Sequence, residues 1–307
     1  METPIAVTVG DPAGVGPEVL RRAIEDLGPV AAFRLYGPGP IVTDLAARYA
    51  WCTPAPTSRG LDGVQPGRYT EASGRASVAA LEAAIRDFSR AEVRALVTGP
   101  ISKRALSDAR LRYPGQTEWV ADATGASRVA MMLFGPVLRV TLATTHLPLQ
   151  EVARALTSES IRAAAELTKD FLHRVLGVER PRIGVLGLNP HASDDGRFGD
   201  EEARVIRPAV QDLQARGFDV AGPLPADTAF YRAFRAEFDA LIAMYHDQGL
   251  GPLKLVHFEE AVNVTLGLPR LRCSPDHGPA YDLVAGHQAA SHASMREALK
   301  LAVRAAG

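Results

Sequence analysis

Ile183-Gly-Val-Leu-Gly-Leu-Asn-Pro-His191 passes from an apolar run directly into a polar turn that carries a histidine. A short aliphatic run bounded by turn formers reads as a strand buried on both faces. Two other stretches repeat the pattern. They are Val140-Thr-Leu-Ala-Thr-Thr-His146, and Leu241-Ile-Ala-Met-Tyr-His246 with Asp247 next to it. Outward from these, helical and strand-like stretches alternate. Residues 5–9 read as a strand with a Gly/Pro turn after it, and a helix starts near Pro17. Residues 76–88 have helical spacing, and 95–98 form a strand before a Gly-Pro turn. Residues 137–144 are β-branched and apolar. Ser158 or Ser160 caps a helix that runs to about Leu176, where Gly177 stops it. Residues 182–187 and 239–244 are further strands. Residues 201–216 are helical with Pro208 kinking or splitting them, and 293–306 close the chain as an amphipathic helix. The alternation predicts an α/β fold with a mostly parallel sheet covered by helices on both faces.

The 307 residues suffice for two α/β domains. The places where the chain is expected to cross are 114/115 and 274/275. They give a split first domain, 1–114 plus 275–307, and a continuous second domain, 115–274. The net charge of −1 provides no global basic field for nucleic acid or an anionic membrane, so neither is an expected partner. Any anionic ligand must be held by local cations. Cys52 and Cys273 are too few for a disulfide framework and suit a reducing compartment. Met1-Glu2-Thr3-Pro4 lacks the basic and apolar segments of a signal peptide, and no apolar run is long enough to span a bilayer. The expected location is the cytoplasm.

The chemistry concentrates at the three histidines. Open α/β sheets bind ligands at the carboxyl ends of their strands. His146, His191 and His246, each following a strand, can therefore converge despite their separation in sequence. Three imidazoles with an open position make a catalytic site for a divalent ion. One histidine after one strand is more often a loop residue; the joint pattern carries the reading. His173 lies inside a helix, and His277, after Asp276, is a weaker candidate. The turn Gly10-Asp-Pro-Ala-Gly-Val-Gly-Pro-Glu18 is not a dinucleotide fingerprint, because Val19 stands where its last glycine would be. That turn and Thr98-Gly-Pro-Ile-Ser-Lys103 are equally readable as ligand loops or as structural turns. Lys254, Asn263 and Arg272, two cations and an amide, suit a phosphate or carboxylate.

The chain resembles the 4-hydroxythreonine-4-phosphate dehydrogenase family of vitamin B6 biosynthesis. The matching stretches are GDPAGVGPE at 10–18, TGPISK at 98–103, PGQTE at 114–118 and TTHLPL at 144–149. GLNPHASDDGRFGDEE at 187–202, GPLPADT at 222–228, MYHDQGLGPLK at 244–254 and VNVTLGLPRLRCSPDHG at 262–278 continue them nearly end to end. The resemblance implies a two-domain fold like isocitrate and isopropylmalate dehydrogenases, with mostly parallel sheets and an active site in the interdomain cleft. It implies His146, His191 and His246 as metal ligands, and Thr117, Lys254, Asn263 and Arg272 at substrate positions. It also implies NAD or NADP without a Rossmann fingerprint, and a homodimer that shares its site between subunits. The ion is zinc, cobalt or magnesium. Asp247 and Lys254 are the candidate catalytic groups.

Two departures stand out. Gln116 occupies a substrate position where the family usually has histidine. Ser193-Asp194-Asp195 follow the NPHA segment where glycine and glutamate are common. The implied reaction is the oxidation of 4-phosphohydroxy-L-threonine to a β-keto acid. That acid loses CO2 to give 3-amino-2-oxopropyl phosphate, on the way to pyridoxal phosphate. The rival substrates are phosphorylated threonate or erythronate. The rivals from other classes are a metal-dependent hydrolase and a non-catalytic sugar-acid sensor.

Overall fold

The computed structural model describes residues 3–113 and 115–307. Among the described residues eleven strands follow in chain order. They are β1 (Ile5–Thr8), β2 (Phe33–Pro38), β3 (Cys52–Ser58), β4 (Leu96–Thr98), β5 (Ala130–Phe134), β6 (Arg139–Leu142), β7 (Ile183–Leu186), β8 (Val220–Leu224), β9 (Ala240–Ala243), β10 (Val262–Leu266) and β11 (Arg272–Pro275). The chain divides into two compact units, Met1–Ser127 with Leu268–Gly307, and Arg128–Gly267.

In the first unit the strand order is β3-β2-β1-β4-β11, with every pair parallel. β1 is buried along its whole length, as a central parallel strand covered on both faces must be. Ala6, Tyr36 and Leu96 cluster with Ala80, Leu81, Ala84, Ile85 and Phe88 of the helix Glu71–Ser89. That helix starts five residues before the expected 76. Thr70 and Ser73 form a reciprocal capping box there, which satisfies two orphan N–H groups.

In the second unit the order is β10-β5-β6-β9-β7-β8. β10, β5 and β6 are antiparallel neighbours, and the remaining pairs are parallel. Alternation along β9 separates two cores: Leu241 and Ala243 pack with Leu142, Phe230 and Leu253, while Ile242 and Met244 pack with Ile161, Ala165 and Val185. Each fully buried aliphatic side chain contributes roughly 1.5–3 kcal/mol, so this two-sided pattern pins the register.

The cap of the helix Ser158–Leu176 is Thr157, whose hydroxyl accepts from Ser160 N at 3.0 Å, while Ser160 returns the bond. Gly177 closes that helix in the left-handed region, as expected. The 201–216 segment begins as a π-helical stretch, Glu202–Ile206, that runs directly into the helix Arg207–Ala215, and Pro208 sits in the first turn of that helix, where its missing N–H costs no interior bond. The chain crosses between units after Ser127 and Gly267 rather than at 114/115 and 274/275. Hydrophobic contact explains the shift. Trp119, Val120 and Ala121 of the helix Gln116–Thr124 belong to the first unit's core, and β11 pairs with β4 there. Pro114, at one expected crossing, lies outside the described residues, as do Met1 and Glu2. Cys52 and Cys273 are free and buried, and burial pushes both thiols up to about 12. Among the described residues no helix is long and apolar enough to cross a membrane.

Candidate active site

β6, β9 and β7 are consecutive neighbours and mutually parallel, so their carboxyl ends open on one edge of the second unit's sheet. The three histidines lie just beyond those ends rather than on the strands. His146 lies in the segment after β6, His246 is the first residue of the helix His246–His257 after β9, and His191 sits on a tight turn after β7. The rings of His146 and His246 are 5.5 Å apart between centroids. His191 lies against Phe198, with ring centroids 6.3 Å apart. Among the described residues of one chain, no group of three or more His, Cys, Asp or Glu side chains is placed to hold a metal ion. The structure thus brings His146 and His246 together, and His191 follows the neighbouring strand β7.

The donor set suits a borderline divalent ion, since neutral imidazole nitrogens favour zinc or cobalt over magnesium. The carboxylate of Asp247 lies 2.7 Å from His246 Nδ1. Such a partner favours N–H at one ring nitrogen and leaves the Nε2 lone pair available to an ion. Asp247 is otherwise solvent-exposed.

Bonds that the sequence reading missed brace this edge. Thr144 Oγ1 donates to Met244 O at 2.6 Å, tying the His146 segment to the end of β9. Gln248 accepts from Met244 N and donates to Gly187 O, both at 2.7 Å, tying the His246 helix to β7. Gln248 was visible inside the MYHDQG stretch, but nothing local shows where its amide reaches.

The turn holding His191 is strained. His191, Ala192, Ser193, Asp194 and Asp195 have φ of 53, 52, 78, 44 and 54°, five successive left-handed non-glycine residues. Each costs roughly 1–2 kcal/mol. The departure at Ser193 therefore has a cost, which its side chain offsets: Oγ donates to Gly199 O at 2.6 Å and accepts from Gly196 N at 2.9 Å. Gly187 is required beneath this turn, since a Cβ there would lie 2.8 Å from Ala192 Cα.

Arg272, on β11 in the first unit, is only 3% exposed. Its Nη2 donates to Thr98 Oγ1 at 2.6 Å and to Gln116 Oε1 at 3.0 Å, and its Nη1 lies 3.4 Å from Thr117 Oγ1. Burial pulls its pKa down to about 10. Gln116 and Thr117 begin the helix Gln116–Thr124, so first-turn N–H groups join the guanidinium in favouring an anion. Thr98 was an ambiguous strand-end residue in the sequence; here it fixes the arginine. Asn263, on β10 of the second unit, has a buried Oδ1 without a hydrogen-bond partner among the described residues. A buried acceptor left in this state costs about 1–3 kcal/mol and marks a place for a donor. Lys254 is half-buried on the His246–His257 helix.

The 10–18 turn is braced internally. Asp11, fully buried, accepts from Ala13 N at 2.9 Å, Ser73 Oγ at 3.3 Å and Tyr281 OH at 2.7 Å. Desolvation and that carboxylate raise the Tyr281 pKa. His277 Nε2 is buried without a partner among the described residues, while Nδ1 meets Gly278 O at 2.9 Å.

Residues 41–302 match the family described as pyridoxal phosphate biosynthetic protein PdxA. The chain is 43% identical to a 4-hydroxythreonine-4-phosphate dehydrogenase of Geobacter metallireducens, covering 98% of this chain and 95% of that one. It is 42% identical to the Chromobacterium violaceum enzyme of the same name, over 99% and 97% of the two. The crystal structure of 4-hydroxythreonine-4-phosphate dehydrogenase from Klebsiella pneumoniae superposes with a TM-score of 0.86 at 35% identity, covering 100% of this chain and 98% of that one. A terephthalate 1,2-cis-dihydrodiol dehydrogenase from Burkholderia xenovorans superposes at 0.71 and 26% identity, over 99% and 98%. At 14% identity and a TM-score of 0.52, isocitrate dehydrogenase from Methylococcus capsulatus shares the fold.

Proposed function

The chain belongs to the PdxA family of pyridoxal phosphate biosynthetic proteins, and from that premise we propose that it oxidises 4-phosphohydroxy-L-threonine with NAD or NADP and a divalent ion. The β-keto acid formed loses CO2 and leaves 3-amino-2-oxopropyl phosphate. The observation that carries this reading is the placement of His146, His246 and His191 after the carboxyl ends of three adjacent parallel strands.

A divalent ion held by His146, His191 and His246 would lower the pKa of the substrate hydroxyl, and a nicotinamide would supply the hydride acceptor. The protein's own groups bind and orient. Arg272, presented by Thr98 and flanked by Gln116 and Thr117, takes phosphate oxygens. Asn263 Oδ1 accepts from a substrate donor, Lys254 adds positive charge, and Asp247 holds the His246 ring. Asp247 and Lys254 are the groups assigned to proton handling.

Gln116 supports retention of the amino-acid substrate. Its carbonyl accepts from Arg272, so its amide NH2 remains to donate to a phosphate. A neutral bond is weaker than one from a protonated histidine by about 1 kcal/mol, or roughly five-fold in affinity. The test follows reduced-nicotinamide absorbance with phosphorylated hydroxythreonine, threonate and erythronate. The amino acid should be preferred, and Gln116→His should lower its KM by roughly five-fold. A hundred-fold preference for a sugar-acid phosphate would change the substrate, and phosphate release without cofactor would change the reaction class.

The protein acts as a homodimer in this reading. Leu255 and Phe258, one helical turn apart at the end of the His246 helix, are 88% and 78% exposed, more than isolated surface residues of this size warrant. Covering them with a second copy would place that copy beside the helix that carries His246 and Lys254. A Leu255→Asp/Phe258→Asp variant should sediment as a monomer and lose activity. A variant that stays dimeric and active would remove this helix end from the interface.

A further inference from the structure

Glu202 is 1% exposed, yet among the described residues no lysine or arginine pairs with it. N–H donors meet its carboxylate instead. Oε1 accepts from Leu188 N at 2.8 Å and from Asn189 N at 2.7 Å, and Oε2 accepts from Asn189 Nδ2 at 2.9 Å. Asn189 Nδ2 also donates to Glu201 Oε2 at 2.8 Å. These residues lie immediately before His191. Beyond them the chain enters the five-residue left-handed run, a conformation that L side chains resist and that persists only when its surroundings hold it. The middle of the run is held by Ser193. Its start is separated from Asn189 by Pro190 alone, and Asn189 is held by Glu202.

We propose that Glu202 is the positioning residue for the His191 turn: its buried carboxylate clamps the backbone and side chain of Asn189 and so fixes where the His191 imidazole is presented to a divalent ion. Burial makes the clamp rigid, because no water can replace a lost N–H partner. A carboxylate is the group required, since all three donors point at its two oxygens. Glutamine keeps one carbonyl for the backbone pair but turns its NH2 toward Asn189 Nδ2, donor against donor. The proposal rests on the metal reading above, and its test separates the two.

The full-length protein, stripped with a chelator, is titrated with Co2+ and followed by visible absorbance. The natural protein, Glu202→Gln, Asn189→Ala and His191→Ala are compared, with thermal melting as the check on folding. Glu202→Gln should bind Co2+ roughly 10–100-fold more weakly, while kcat at saturating Co2+ stays within a few-fold. Asn189→Ala, which leaves the Leu188 and Asn189 backbone bonds to Glu202 in place, should lose less. Natural affinity in Glu202→Gln alongside a loss in His191→Ala overturns the clamp and leaves the metal site standing. Natural affinity in His191→Ala overturns the metal reading itself. If Glu202→Gln does not fold, Asn189→Ala decides, and unchanged affinity there overturns the proposal.

Discussion

Replacing His191 by alanine is expected to cut dehydrogenation by at least a thousand-fold while leaving the melting temperature nearly unchanged. The imidazole is solvent-exposed, with the Phe198 ring beside it, so its removal creates no buried cavity. On the proposed three-histidine site its loss instead removes one of three ligating nitrogens. An ion with two remaining ligands is held weakly and no longer polarises the substrate hydroxyl, an effect that supplies several kcal/mol. Every 1.4 kcal/mol or so is ten-fold in rate, so a loss of about 4 kcal/mol or more gives the stated factor. His146→Ala and His246→Ala should behave alike. Asp247→Asn should do less, because it loosens the His246 ring without deleting a ligand. The measurement is kcat/KM beside bound metal per chain. A His191→Ala protein with natural turnover and full metal content would remove His191 from the site.

Arg272→Met is expected to raise the KM for the phosphorylated substrate by at least ten-fold, and toward a thousand-fold if two guanidinium bonds to phosphate are lost, at about 1.5–3 kcal/mol each. Stability should move much less. The arginine's pKa falls to about 10 on folding, so the folded state binds its proton more weakly than the unfolded chain does. That penalty is fully present below pH 10 and is relieved only as pH rises above it. At about 1.4 kcal/mol per pH unit it costs on the order of 3 kcal/mol at neutral pH. Removing the charge recovers this, while Thr98, Thr117 and Gln116 lose a donor. The two contributions oppose, so the unfolding free energy should change by less than about 2 kcal/mol. Saturating substrate should raise the melting temperature of the natural protein but not of the variant. The dephosphorylated substrate is the control and should be handled equally by both. Unchanged kinetics on the phosphorylated substrate would remove Arg272 from the anion site.

By itself the sequence determined what depends on neighbours along the chain. Aliphatic runs such as 183–186 and 240–243 became strands buried on both faces, because their period and their flanking turn residues leave few other conformations. Gly177 ended its helix where a left-handed residue was needed, and the histidines followed β6, β7 and β9 because a strand must end in a turn. The quoted stretches, taken together, were specific enough to carry the family. What only the tertiary structure decided depends on which strands become neighbours. The order β6-β9-β7 puts His146 beside His246, and no local pattern contains that order. Thr144, Gln248 and Glu202 read as ordinary polar residues until the fold shows their partners, which lie 100, 61 and 13 residues away. The crossings moved to Ser127 and Gly267 because Trp119 and β11 bury their surface in the first unit, and burial is set by the assembled core. In the sequence Arg272 was a cation suited to an anion, with nothing local to show that it is buried. Its depressed pKa arises because the fold withdraws it from water and offers it hydroxyl and amide oxygens, a desolvation that exists only once the chain has packed.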